Sequence, residues 1–145
     1  MREIKFRAWD KEEKKMFRVD RIDFGIFEID SNVAIRPYPR VFLYNNKDDE
    51  CYWINDARDF ELMQYTGLKD KSGKEIFFQD LGKDRRGNIW RVDEIPRTAG
   101  WGMTCISDTG AHDECYPQLL SYGWIVMHGF EIIGNAYENP ELDIP

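Results

Sequence analysis

The sequence predicts a mainly β protein, with an N-terminal β-layer over residues 1–60 followed by a small β-barrel over residues 61–145. Three observations predict it. Stretches such as "IKFRAWD" (4–10) and "IWRVDEI" (89–95) alternate in character with the period of two expected of half-exposed strands. Short β-favouring runs are separated by turn clusters rich in Gly, Asn, Asp and Ser. A helical pattern is confined to one short stretch, Asp56–Gln64.

The elements follow in order. Ile4, Phe6 and Ala8 oppose Lys5, Arg7 and Trp9 in the first strand, and Lys11–Lys15 turn the chain. "MFRVDRIDFGIFEID" (16–30) forms the pairing strand, and its alternation slips midway, which predicts a bulge. "PYPRVFLY" (37–44) is a further strand, its prolines suited to an edge or a start. "NNKDDE" (45–50) turns into "CYWIN" (51–55), and Asp56 would cap a helix presenting Phe60, Leu62 and Met63. A hairpin spans 65–78, with Asp70–Gly73 at its tip. "DRRGN" (84–88) turns into the strand 89–95, which Pro96 ends. "MTCIS" (103–107) is a strand, "DTG" (108–110) turns again, and "GWIVMHGFEIIGNAY" (123–137) closes with one or two strands.

The chain has 145 residues, enough for one domain or two small subdomains that bury about 70% of their unfolded surface. With 42% hydrophobic and 32% charged residues it reads as globular rather than disordered. No apolar run approaches the roughly 18 residues of a membrane span, and the start lacks a secretory apolar stretch, so a cytoplasmic, non-membrane protein is expected. The net charge of −7 arises entirely after Arg97, where seven acids (Asp108, Asp113, Glu114, Glu131, Glu138, Glu141 and Asp143) meet no Lys or Arg. That acidity opposes nucleic acid overall and suits either solubility or a basic protein partner.

"GLKDKSGKE" (67–75) resembles a phosphate-cradling loop and fails as one. The motif needs four residues between its glycines and then Lys and Ser or Thr; here five separate Gly67 from Gly73, and Glu75 stands where the hydroxyl belongs. Three cysteines, Cys51, Cys105 and Cys115, form no disulfide framework and are expected to be reduced and buried. A zinc site built from Cys105, His112 and Cys115 with Cys51 or His128 lacks the paired ligand spacing of structural sites. A hydrolase using Asp108, His112, Asp113 or His128 has no motif behind it. No catalytic, cofactor or metal residues are therefore assigned, and the chain is expected not to be an enzyme.

Two binding classes remain. Arg85, Arg86 and Arg91 could meet phosphate while Trp90 stacks on a base, which makes "DRRGNIWR" (84–91) the candidate nucleic-acid contact. A protein partner is preferred, because edge strands offer a docking mode and the net charge is negative. In "GNAYENPEL" (134–142) the tail is expected to dock through Tyr137 and Leu142; exchanged between subunits, it would make a homo-oligomer.

"IKFRAWDKEEKKM" (4–16), "QYTGLKDKSGKEIF" (64–77) and "IIGNAYENPEL" (132–142) resemble the three signatures of the YopX family of phage and prophage proteins. The resemblance implies a mainly β fold with an SH3-like barrel in the C-terminal part and implies no established activity. One departure is visible: where the family continues its hairpin with an aromatic, Glu, Gly and Asp, this chain has Phe77, Phe78, Gln79 and Asp80.

Overall fold

A computed structural model describes residues 3–23, 26–29, 32–35, 40–45, 49–95, 100–107 and 117–143, with the backbone alone for 26–29, 32–35 and 45. The chain divides into two compact units, Lys5–Met63 and Gln64–Pro145 together with Met1–Ile4.

The N-terminal unit is an antiparallel sheet. β1 (Phe6–Asp10) pairs with β2 (Lys15–Asp23), β2 with β5 (Arg40–Asn45), and β5 with β6 (Glu50–Ile54). β7 (Phe60–Lys69) enters beside β1, and β3 (Ile26–Ile29) with β4 (Asn32–Ile35) form a separate hairpin. The expected bulge lies in β2, where the register against β5 shifts between Val19 and Arg21. Alternation sends Ala8, Phe17, Val41, Leu43 and Ile54 inward, where with Phe60 they form one apolar cluster. β5 lies between β2 and β6 rather than at an edge, and it begins only after the prolines.

The helix expected over Asp56–Gln64 is a single 3-10 turn, Ala57–Asp59. Asp56 does cap it, accepting from the Arg58 amide, but Phe60 is already extended. A nine-residue helix gains little from its own hydrogen bonds, and the sheet offers a full ladder instead.

The C-terminal unit carries the end of β7, which pairs with β8 (Glu75–Phe77), and a second antiparallel sheet. β9 (Asp80–Lys83), β10 (Ile89–Ile95), β11 (Gly100–Cys105) and β12 (Gln118–Leu119) run as a meander, and β13 (Glu131–Asn135) returns to pair with β9. Between β12 and β13, Tyr122–His128 form a helix, α1, where a strand was expected. Ile125 and Val126 suggest β structure, yet the end signals decide. The Ser121 hydroxyl accepts from the Trp124 amide, and Gly129 closes the helix at φ +63, its N–H donating to the Ile125 carbonyl. The core joins Ile76, Trp90, Val92, Met103, Leu120, Ile125, Phe130 and Ile132.

Candidate functional site

Two five-residue turns of the same build hold the C-terminal unit together. In "DKSGK", Asp70 Oδ1 accepts from the amides of Ser72 and Lys74, the Asp70 N–H donates to the Lys74 carbonyl, and the Gly73 N–H to the Asp70 carbonyl. In "DRRGN", Asp84 Oδ1 accepts from Arg86 and Asn88, with the same backbone pair to Asn88 and Gly87. The fourth residue of each has a positive φ, +86 at Gly73 and +92 at Gly87, which glycine supplies without a Cβ clash.

Both turns also reach the junction of α1 with β13. The Lys71 amide donates to the Phe130 carbonyl at 3.0 Å and the Arg85 amide to the His128 carbonyl at 2.7 Å. Asp70 Oδ2 accepts from the Ile132 amide. Asp70 thus docks the first turn, while Lys71, Ser72, Gly73 and Lys74 stay exposed at its tip. Asp84 Oδ2 accepts from Asn88 Nδ2 and from the Trp90 indole N–H, each at 2.9 Å. Burial pushes the Asp84 carboxyl up, but these hydrogen bonds outweigh it and hold its pKa below the ordinary value.

The residues expected to contact nucleic acid are therefore separated by role. Trp90 is buried, edge-on to Trp124 at 5.3 Å, and a ring enclosed in the core cannot stack on a base. Arg91 is held by Asp93 at 3.1 Å and by Asp143 at 2.9 Å; burial pushes its pKa down, but these carboxylates outweigh that and raise it above the ordinary value. Arg85 and Arg86 are exposed, and the Arg85 guanidinium lies over Gly129 at the helix end. Cys51 is exposed rather than buried, and Cys105 is half-buried with its thiol toward the Ser107 carbonyl. His128 is a helix residue, not a strand one; it stacks on Trp124 at 4.3 Å, with Nδ1 3.0 Å from the Trp124 carbonyl. Asp108, His112, Asp113 and Cys115 lie outside the described residues. Among those described, no three His, Cys, Asp or Glu side chains are grouped to hold a metal.

The feature that sequence reading missed is the outer face of α1. Ile125 points inward and Trp124 and His128 are half-buried, whereas Tyr122, Val126 and Met127 are 73%, 54% and 71% exposed. Tyr122 and Val126 are one turn apart on the same side. From residue 117 to residue 130 the chain has no Asp, Glu, Lys or Arg, so the helix itself adds no formal charge to this face. Once Ser121 and Gly129 are read as caps, the exposed arc follows from helical spacing.

A model of the YopX protein family matches residues 5–142. The chain belongs to the YopX family. It is similar over 99% of its length, and of the other chain's, to the crystal structure of protein EF1440 from Enterococcus faecalis, at 23% identity and a TM-score of 0.59. It is likewise similar to protein yopX from Bacillus subtilis, at 21% identity, a TM-score of 0.52 and 98% coverage of both chains. These likenesses concern the fold. No curated protein matches the chain.

The YopX pattern explains residue 79. Gln79 occupies the left-handed region at φ +64, where the family's usual glycine carries no strain. Its backbone is closely held, donating to the Val92 carbonyl and accepting from the Ala136 amide, and its side-chain amide donates to Asp93. The YopX tail signature docks within this chain. Asn135 Oδ1 accepts from Tyr137 and Glu138, and Asn139 sits over Gly134, where a Cβ would fall 2.2 Å from Asn139 Oδ1. Asp143 then meets Arg91, and Tyr137 and Leu142 are half-buried. The acidic C-terminal part is thereby partly neutralised from upstream, since Glu131 also pairs with Lys71 at 2.8 Å.

The N-terminal unit holds an open cleft of about 720 Å³ lined by Asp10, Glu12, Glu13, Asp49 and Glu50, with Lys15 the one cation among the described residues that line it. Asp10 is occupied by the amides of Glu12 and Glu13 and by the Tyr52 hydroxyl, whose pKa is pushed up by burial and by that bond.

Proposed function

We propose that this member of the YopX family is a phage- or prophage-encoded, non-catalytic protein-interaction module that works in the bacterial cytoplasm through a protein partner. The supporting observation is the uncharged outer face of α1. A soluble domain with nearly a third of its residues charged leaves three large apolar side chains together on one short helix, a usual mark of a binding surface. Arg85 at the C-terminal end of α1 adds a cationic rim. The same reading takes the C-terminal unit as an SH3-like barrel. The order β13-β9-β10-β11-β12, with the helix before the returning strand, supports that topology.

The test compares wild-type protein with V126D/M127D as bait in nuclease-treated lysate of the bacterial host. Because both positions are exposed, the variant should keep its thermal unfolding temperature while losing the retained protein. If both baits hold the same proteins, the helix face is not the docking surface.

A further inference from the structure

The N-terminal sheet carries a second surface of different chemistry. Its register places Arg18, Tyr44 and Cys51 side by side, then Arg21, Phe42 and Trp53, then Asp23 and Arg40. Their neighbours along each strand, Phe17, Val41, Leu43 and Ile54, point into the core, so by alternation this row faces outward. Arg18 lies over the Tyr44 ring at 5.4 Å, Arg21 over Phe42 at 6.0 Å and Arg40 over Trp53 at 4.3 Å. Phe42 and Trp53 pack together at 5.1 Å. Three half-buried aromatic rings thus lie on an open sheet under three guanidinium groups.

We propose that this face of β2, β5 and β6 is a platform for single-stranded nucleic acid, with bases stacking on Phe42, Tyr44 and Trp53 and phosphates meeting Arg18 and Arg21. Stacking on sheet aromatics accepts any unpaired base, and guanidinium groups serve both the rings and the backbone. Among the described residues, the acids on the face do not close it. Asp20 reaches Arg18 at 3.4 Å and Arg21 at 3.9 Å, with these arginine side chains 62% and 72% exposed. Exposed pairs of this kind contribute about 0–1 kcal/mol and yield to phosphate. Asp23 is different: it binds Arg40 at 2.6 Å and fixes that guanidinium over Trp53. Tyr44 is steadied by its hydroxyl bond to Asp49. The net charge of −7 disfavours binding by phosphate attraction alone. The ligand must therefore offer unpaired bases, which a duplex does not.

The test is fluorescence anisotropy of the full chain with labelled oligothymidylate and oligouridylate of about 15 nucleotides, the upper range for one small β domain. A duplex of the same length and a poly-glutamate peptide are the comparisons. Single strands should bind, more weakly as salt rises from about 50 to 200 mM. R18E/R21E, on exposed side chains, should lose at least about tenfold in affinity. W53A, checked for folding by circular dichroism, should lose about tenfold, as one lost stacking contact implies. R85E/R86E should bind as wild type does. No binding up to about 100 µM, the weak end of the range for non-specific contacts, overturns the proposal. So does equal binding of the duplex or of poly-glutamate, or retention of affinity in R18E/R21E.

Discussion

Replacing Asp84 by alanine removes the acceptor of four hydrogen bonds at once. Three of the four donors are enclosed: the indole N–H of Trp90 and the backbone and side-chain amides of Asn88 belong to residues only 3% and 5% exposed. Each buried donor left without a partner costs about 1–3 kcal/mol, so D84A should destabilise the C-terminal unit by about 3–5 kcal/mol. D84N retains an acceptor for the two turn amides and should lose about half as much. Urea unfolding by circular dichroism gives the free energies. The protein has five tryptophans, so nitrogen-15 indole resonances, rather than bulk fluorescence, assign the change to Trp90.

The pH dependence adds an independent reading. The folded pKa of Asp84 is depressed, so its stabilisation is complete above the ordinary carboxylate range and is lost as pH falls through the folded value. Wild type should therefore lose stability on acidification more steeply than D84N. A D84A loss below about 1 kcal/mol, the value of one ordinary hydrogen bond, with an unmoved Trp90 resonance, would refute the account.

Other predictions are simpler. G82A should cost about 2–3 kcal/mol or more by overpacking, because a Cβ there falls 2.2 Å from the enclosed Phe130 ring, whereas G123A, with nothing within 4 Å, should stabilise α1 by about 0.5–1 kcal/mol; thermal unfolding checks both. Q79G should exceed Q79A in stability by about 1 kcal/mol, since both lose the bond to Asp93 but only glycine relieves the positive φ. D143A should lower stability by about 1 kcal/mol, and the loss should shrink in high salt as the Arg91 pair is screened.

Much of the fold was legible because period and punctuation agreed. The β1–β2 pairing, the β2 bulge, the 65–78 hairpin and the strand 89–95 all followed from alternation bounded by turns. The two misread segments failed for opposite reasons. At 56–64 a good cap preceded residues claimed by a sheet, and at 122–128 β-favouring residues lay between two helix caps whose geometry prevailed. The binding residues were harder. "DRRGNIWR" mixes cations with an aromatic, yet Asp84 draws the Trp90 ring inward, and no spacing rule announces that bond. The arginine and aromatic row needs residues 18, 21, 40, 42, 44 and 53 together, and only strand register assembles them.

The twin aspartate turns bear on the timing of synthesis. Each closes within five residues and can form as soon as it leaves the ribosome. Their outward bonds, to the carbonyls of His128 and Phe130 and the amide of Ile132, wait for residues more than forty positions downstream. The C-terminal unit should therefore lock only after residue 132 has emerged, with Trp90 unburied until then. A ribosome-stalled chain ending at residue 121 should be cleaved rapidly by protease across residues 78–107, and resistance there would mean that the sheet assembles without its final strand.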